Sequence, residues 1–185
     1  MQKLIKMLVV LLLVSSLSGC GSSNNWQFDP KSLTTDSYVF PTGKTVISFS
    51  ATAISSLPVP ISAIDLTITL PSGMSVTTSG ASGQLDSTTV LPGSSLGGTN
   101  LAYGSYAVAT RTVQLSMATT SSSYSGGEFL KLYCNMPSGA VVTLGNLRAL
   151  NAPVVVTKAV GYDPVTQSTV TLTDKSAVTL NAALP

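Results

Sequence analysis

The chain has 185 residues, 44% hydrophobic and only 9% charged, with nine Lys and Arg against seven Asp and Glu. So sparse a charge offers no basic stripe for a nucleic-acid backbone and no electrostatic patch for a membrane surface. Histidine is absent, which excludes Ser-His and Cys-His nucleophile systems and imidazole sites for metal or haem.

Lys3 and Lys6 charge the extreme N-terminus, Met7 to Val14 (MLVVLLLV) is an unbroken apolar run, and Leu17-Ser18-Gly19-Cys20 follows. Basic start, short apolar centre and small residues make a secretory signal peptide, too short to span a bilayer comfortably. The ending resembles the lipobox of bacterial lipoproteins. That resemblance implies cleavage before Cys20, acylation (palmitate) of the Cys20 thiol and attachment to the membrane of the bacterial cell envelope. Because Gly21 rather than Asp follows the cysteine, it further implies the outer membrane if the organism is diderm. Loss of Lys3 and Lys6 with the signal leaves seven basic residues against seven acidic ones, so the formal +2 belongs to the precursor. The expected organisation is a signal peptide over 1–19, a lipidated tether over 20–37 and one domain over 38–185.

The start of the tether (GSSNNWQFDPKSLTT) is polar, contains Pro30 and lacks periodicity, as linkers do. Trp26 and Phe28 within it have two readings: a strand that docks on the domain, or aromatics resting at the lipid interface. From Tyr38 onward apolar residues recur with period two. Ile47, Phe49 and Ala51 alternate with Ser48, Ser50 and Thr52; Ile64, Leu66, Ile68 and Leu70 with Asp65, Thr67 and Thr69; Val113, Leu115 and Met117 with Thr112, Gln114 and Ser116. Val170 and Leu172, then Val178 and Leu180, close the chain in the same way. Such alternation sets one face in a core and the other in water, as in antiparallel sheets.

Pro58, Pro60, Pro71-Ser72-Gly73, Pro92-Gly93, Gly97-Gly98, Gly126-Gly127 and Pro137-Ser138-Gly139 punctuate these runs. No stretch beyond the signal carries a helical stripe of useful length, so any helix is expected to be a single turn. The fold class is therefore all-β, an antiparallel sandwich in one domain. The Gly/Ser-rich stretch from Gly80 to Gly98 reads either as a binding loop or as an extra edge strand.

With Cys20 acylated, Cys134 has no partner in the chain. Lying in step with Leu130, Leu132 and Met136, it is expected to be a buried, inert thiol. Other chemistry is equally thin. Gly43-Lys44-Thr45 ends like a phosphate-binding loop, but the glycine required five residues upstream is Tyr38, and strand periodicity follows where a helix should start. No lysine has a serine three residues before it. The acids Asp29, Asp36, Asp65, Asp86, Glu128, Asp163 and Asp174 are scattered singly, without calcium-loop spacing. No catalytic residue, metal site or cofactor is expected, and the protein is read as not an enzyme.

Gly43-Lys44-Thr45-Val46-Ile47-Ser48-Phe49, then Pro60 to Pro71 with Met74 beyond the turn, resembles the opening of a cohesin-type module. Gly126-Gly127-Glu128-Phe129-Leu130-Lys131-Leu132 is similar to a late strand of that family, and Val141 to Leu150 with Ser176 to Leu180 to its last part. The resemblance covers about residues 38–182. It implies a jelly-roll sandwich of about nine strands in the carbohydrate-binding superfamily. The family's usual Tyr-Asp-Pro turn after the second strand is here Leu70-Pro71-Ser72, while Tyr162-Asp163-Pro164 comes far later; this departure touches dockerin binding rather than the fold. The expected role is a non-catalytic, lipid-anchored module that binds a partner protein on the envelope or serves its assembly, the alternative being a glycan-binding module. Tyr103, Tyr106 and Tyr124, flanked by Gly and Ser, are the candidate contacts, expected as exposed rings in polar turns.

Overall fold

The computed structural model describes residues 33–80 and 82–185. The signal peptide, Cys20, Trp26, Phe28 and Asp29 lie outside the described residues. Among the described residues eleven strands form two antiparallel sheets, packed as a sandwich. They are β1 (Gly43–Ala53), β2 (Ile61–Thr69), β3 (Thr78–Ser79), β4 (Gln84–Leu85), β5 (Val90–Pro92), β6 (Asn100–Ala107), β7 (Thr112–Thr119), β8 (Gly127–Met136), β9 (Val155–Asp163), β10 (Ser168–Thr171) and β11 (Ser176–Ala183). One sheet has the order β11-β1-β8-β5 and the other β10-β9-β2-β7-β6-β4-β3. The expected count of about nine is corrected to eleven. The surplus comes from the Gly80–Gly98 stretch and its approach, which supply three very short strands. There β5 pairs with β8 as an edge of the four-stranded sheet, and β3 and β4 extend the seven-stranded one.

The alternation sets the core. Ile64, Leu66 and Ile68 of β2 and Val113, Leu115 and Met117 of β7 point inward with at most 1% exposure, facing Ile47 and Phe49 of β1 and Leu130 and Leu132 of β8. In β1 burial extends to Val46 and Ser48 on the other side of the strand, where Ser48 was expected to face water. Here β1 is flanked on both sides, with Tyr133 and Lys131 of β8 and Ala183 and Asn181 of β11 as cross-strand neighbours.

Strand β8 departs from strict alternation at one residue. Phe49 pairs with Leu130 and Ser50 with Glu128, so Phe129 is the extra residue of a β-bulge. The bulge lets Phe129 and Leu130, consecutive in sequence, both point inward with no exposure, and the Phe129 ring lies 6.4 Å from that of Phe49. Gly93 caps the bulge by donating its N–H to the Phe129 carbonyl at 2.8 Å. A Cβ at Gly93 would come within 2.4 Å of the Glu128 carbonyl oxygen, so this close approach needs glycine.

Residues 144–150 form the short helix α1 (Leu144–Leu150). At seven residues it corrects the expectation of single-turn helices. Thr143 and Asn146 make a reciprocal capping box, and Leu144 and Leu147 enter the core. The helix ends on Asn151, which is buried and copies a strand partner. Its Oδ1 accepts from the Thr69 N–H at 2.7 Å, and its Nδ2 donates to the Thr69 carbonyl at 2.9 Å and the Leu147 carbonyl at 2.7 Å. Removing that amide strands the buried backbone of β2, at a cost of about 1–3 kcal/mol. Asn151→Ala is therefore expected to lower the free energy of unfolding by that amount, seen as a lower denaturant midpoint with an unchanged slope; a loss under half a kcal/mol would refute the role.

Candidate binding surfaces

The structure separates the three candidate tyrosines. Tyr103 is half exposed on the outer side of β6, whereas Tyr106, three residues on and therefore on the opposite side, is buried in the core. Tyr124 is buried too, donating its hydroxyl to the Gly127 carbonyl at 2.9 Å, and burial pushes its phenol pKa up. The expectation of three exposed rings in turns is thus corrected for Tyr106 and Tyr124. Moreover, Tyr103 and Tyr106 sit in a strand.

Around Tyr103 the register of the seven-stranded sheet assembles a surface that the sequence scatters. Tyr103 of β6 pairs with Ser116 of β7, Ser116 with Asp65 of β2, and Asp65 with Lys158 of β9. These four therefore form one row across the outer face, about 14 Å long at the usual strand spacing of ~4.8 Å. The next row is Leu101, Ala118, Ala63 and Val160, with Leu101 58% exposed. On the other side lie Ser105, Gln114, Thr67 and Val155. An apolar row thus lies beside a row carrying an aromatic ring, a hydroxyl, a carboxylate and an amine. Sequence reading placed Asp65 correctly on an outward position but could not pair it with Lys158, 93 positions later by their numbers. Next to Tyr103 a shallow cavity of about 350 Å³ is lined by Ser82, Gln84, Ser105, Gln114 and Ser116.

A second surface lies where the two sheets part. Edge strand β11 and the start of β9 flank a groove of about 500 Å³ lined mainly by Ala152, Pro153, Val154, Val156, Val178 and Leu180. Arg148 of α1 closes one end. Its guanidinium donates to the Leu180 carbonyl through Nε at 3.1 Å and Nη2 at 3.0 Å, and to Asn181 Oδ1 at 2.7 Å. Through Nη1 it also holds the Thr34 carbonyl at 3.0 Å and Asp36 Oδ1 at 2.6 Å. The domain's contacts therefore reach back into the end of the tether, where Leu33 packs on the core. Nothing in the sequence singled out Arg148, because all its partners are distant along the chain.

Cys134 has no exposure, and burial pushes its thiol pKa up. A thiol held protonated and out of reach is a poor nucleophile. Folded protein is expected to leave Cys134 unlabelled by a maleimide that reacts fully in denaturant; fast labelling under native conditions would contradict this. Among the described residues no cluster of three or more His, Cys, Asp or Glu side chains could hold a metal ion. Likewise, no helix there is long and apolar enough to cross a membrane. No protein-family model, curated protein or solved structure matches the chain.

Proposed function

We propose that this protein is a lipid-anchored, non-catalytic envelope protein of cohesin-like type. Acylated Cys20 holds it on the bilayer, and the outer face of the seven-stranded sheet binds a partner protein. The observation that carries the binding reading is the pair of adjacent rows on that face. Leu101, Ala118, Ala63 and Val160 offer apolar area, and Tyr103, Ser116, Asp65 and Lys158 offer an amphipathic ring and two opposite charges in fixed register. Exposed apolar area edged by a tyrosine and charged groups is the usual makeup of a protein-binding patch. A flat sheet face also suits a folded partner better than a small molecule, which needs a concave site.

The alternative, glycan binding, draws on the cavity beside Tyr103, where two glutamines and three serines surround one exposed ring. Two substitutions separate the readings. Leu101→Asp is expected to abolish cross-linking of the membrane-bound protein to its partner, and Tyr103→Ala to weaken it at least tenfold. Glycan-array binding that survives Leu101→Asp and is lost in Tyr103→Ala would transfer the assignment to a glycan, and cross-linking unchanged in both would refute the sheet face as the site.

A further inference from the structure

We infer that the groove between β11 and β9 is the docking site for the chain's own segment around Trp26 and Phe28. Three observations converge on it. First, the groove is an open, mainly apolar slot of about 500 Å³ whose lining includes Pro153, Val154, Val156, Val178 and Leu180, a surface that gains from being covered by apolar side chains.

Second, β11 is an edge strand. The Leu180 carbonyl points away from β1, since it accepts from Arg148. Alternation gives Val178 the same parity, so its backbone N–H and C=O also face the groove, as a template for an added strand. The walls beside that edge are apolar, and large side chains of alternating type fit such a site.

Third, the chain enters from the right place. Arg148, at one end of the groove, grips the Thr34 carbonyl and Asp36. Trp26 and Phe28 precede Thr34 by eight and six positions, an extended reach of up to ~28 Å and ~20 Å. From Leu180 to Ser176 the edge runs about 14 Å, well within both. Trp26 and Phe28 are spaced by two, so in a strand they point the same way, and Pro30 favours extended backbone in the residue before it.

Docking has a mechanical consequence. Between Cys20 and Trp26 only Gly21, Ser22, Ser23, Asn24 and Asn25 remain as spacer, a reach of about 20 Å at most across the six peptide steps. The sandwich is then held against the bilayer surface instead of at the end of a long tether.

Trp26 is the only tryptophan, so its fluorescence reports the docking directly. Using the full mature protein in detergent, emission is expected to be blue-shifted and protected from acrylamide. A nitroxide on the Thr179→Cys variant, at an exposed groove residue, is expected to quench Trp26 at least threefold more than one on Ser87→Cys, an exposed residue beside the opposite edge strand β5. Val154→Asp is expected to shift emission to the red while the far-ultraviolet circular dichroism stays unchanged. Water-like emission with equal quenching from both labels would overturn the inference. So would a blue shift that appears only with phosphatidylcholine vesicles, placing the ring at the lipid interface, or only at high protein concentration, placing it in a second copy.

Discussion

Phe129→Ala is expected to destabilise the domain by about 3–5 kcal/mol, the range for deleting a fully buried aromatic ring. Against a typical total of about 5–15 kcal/mol, that is enough to leave a large unfolded fraction at physiological temperature if the domain lies near the lower end. Three features make this position sensitive. The ring has no exposure and contacts Phe49 of the neighbouring strand in the same sheet. It occupies a β-bulge, so the next residue, Leu130, also points inward and cannot rotate to fill the space. Its backbone is fixed from outside by the Gly93 N–H, with the chain so close that Gly93 tolerates no Cβ. A cavity there cannot collapse readily, and poorly collapsing sites lie at the upper end of the range. Denaturant unfolding of Phe129→Ala beside Phe129→Leu checks it. A loss below about 1 kcal/mol for alanine would show that the bulge relaxes and that the packing is not as described.

The sandwich itself was legible because period-two alternation is a local property. Ile64 to Leu70 and Val113 to Met117 show their core face to anyone who counts by twos, and the structure buries those residues. What escaped were features created by register or by departures from it. Phe129 is off the alternation only because a bulge inserts it. Tyr103 and Tyr106 look equivalent in a Gly/Ser-rich stretch, yet strand parity sends one to water and one to the core. Helix α1 is seven residues long, too short to show a stripe, and its signal was the cap: Thr143 followed three residues later by Asn146, with Leu144 and Leu147 between and after. The row from Tyr103 to Lys158 exists only once four strands are aligned, and Arg148 gathers partners from residues 34, 36, 180 and 181. Long-range pairing carries the candidate sites, and long-range pairing is what a single sequence hides.

Cys20→Ser is expected to have the largest effect on where the protein resides. In the proposed anchoring the lipid on Cys20 supplies the attachment, each buried methylene of its acyl groups contributing about 0.8 kcal/mol to membrane binding. Beyond the proposed signal peptide the chain offers no net charge in its place: seven basic and seven acidic residues cancel, and anionic lipids attract clustered basic charge. Loss of the thiol is therefore expected to move the processed protein from the membrane pellet to the soluble fraction, with the fold and its melting temperature unchanged.

The most direct test is metabolic labelling of growing bacteria with radiolabelled palmitate, followed by recovery of the wild-type protein and Cys20→Ser. A lipid-anchored module predicts label on the wild type, a mature chain beginning at Cys20, and no label on the variant. Wild-type protein without label, or equal label on Cys20→Ser, would contradict it.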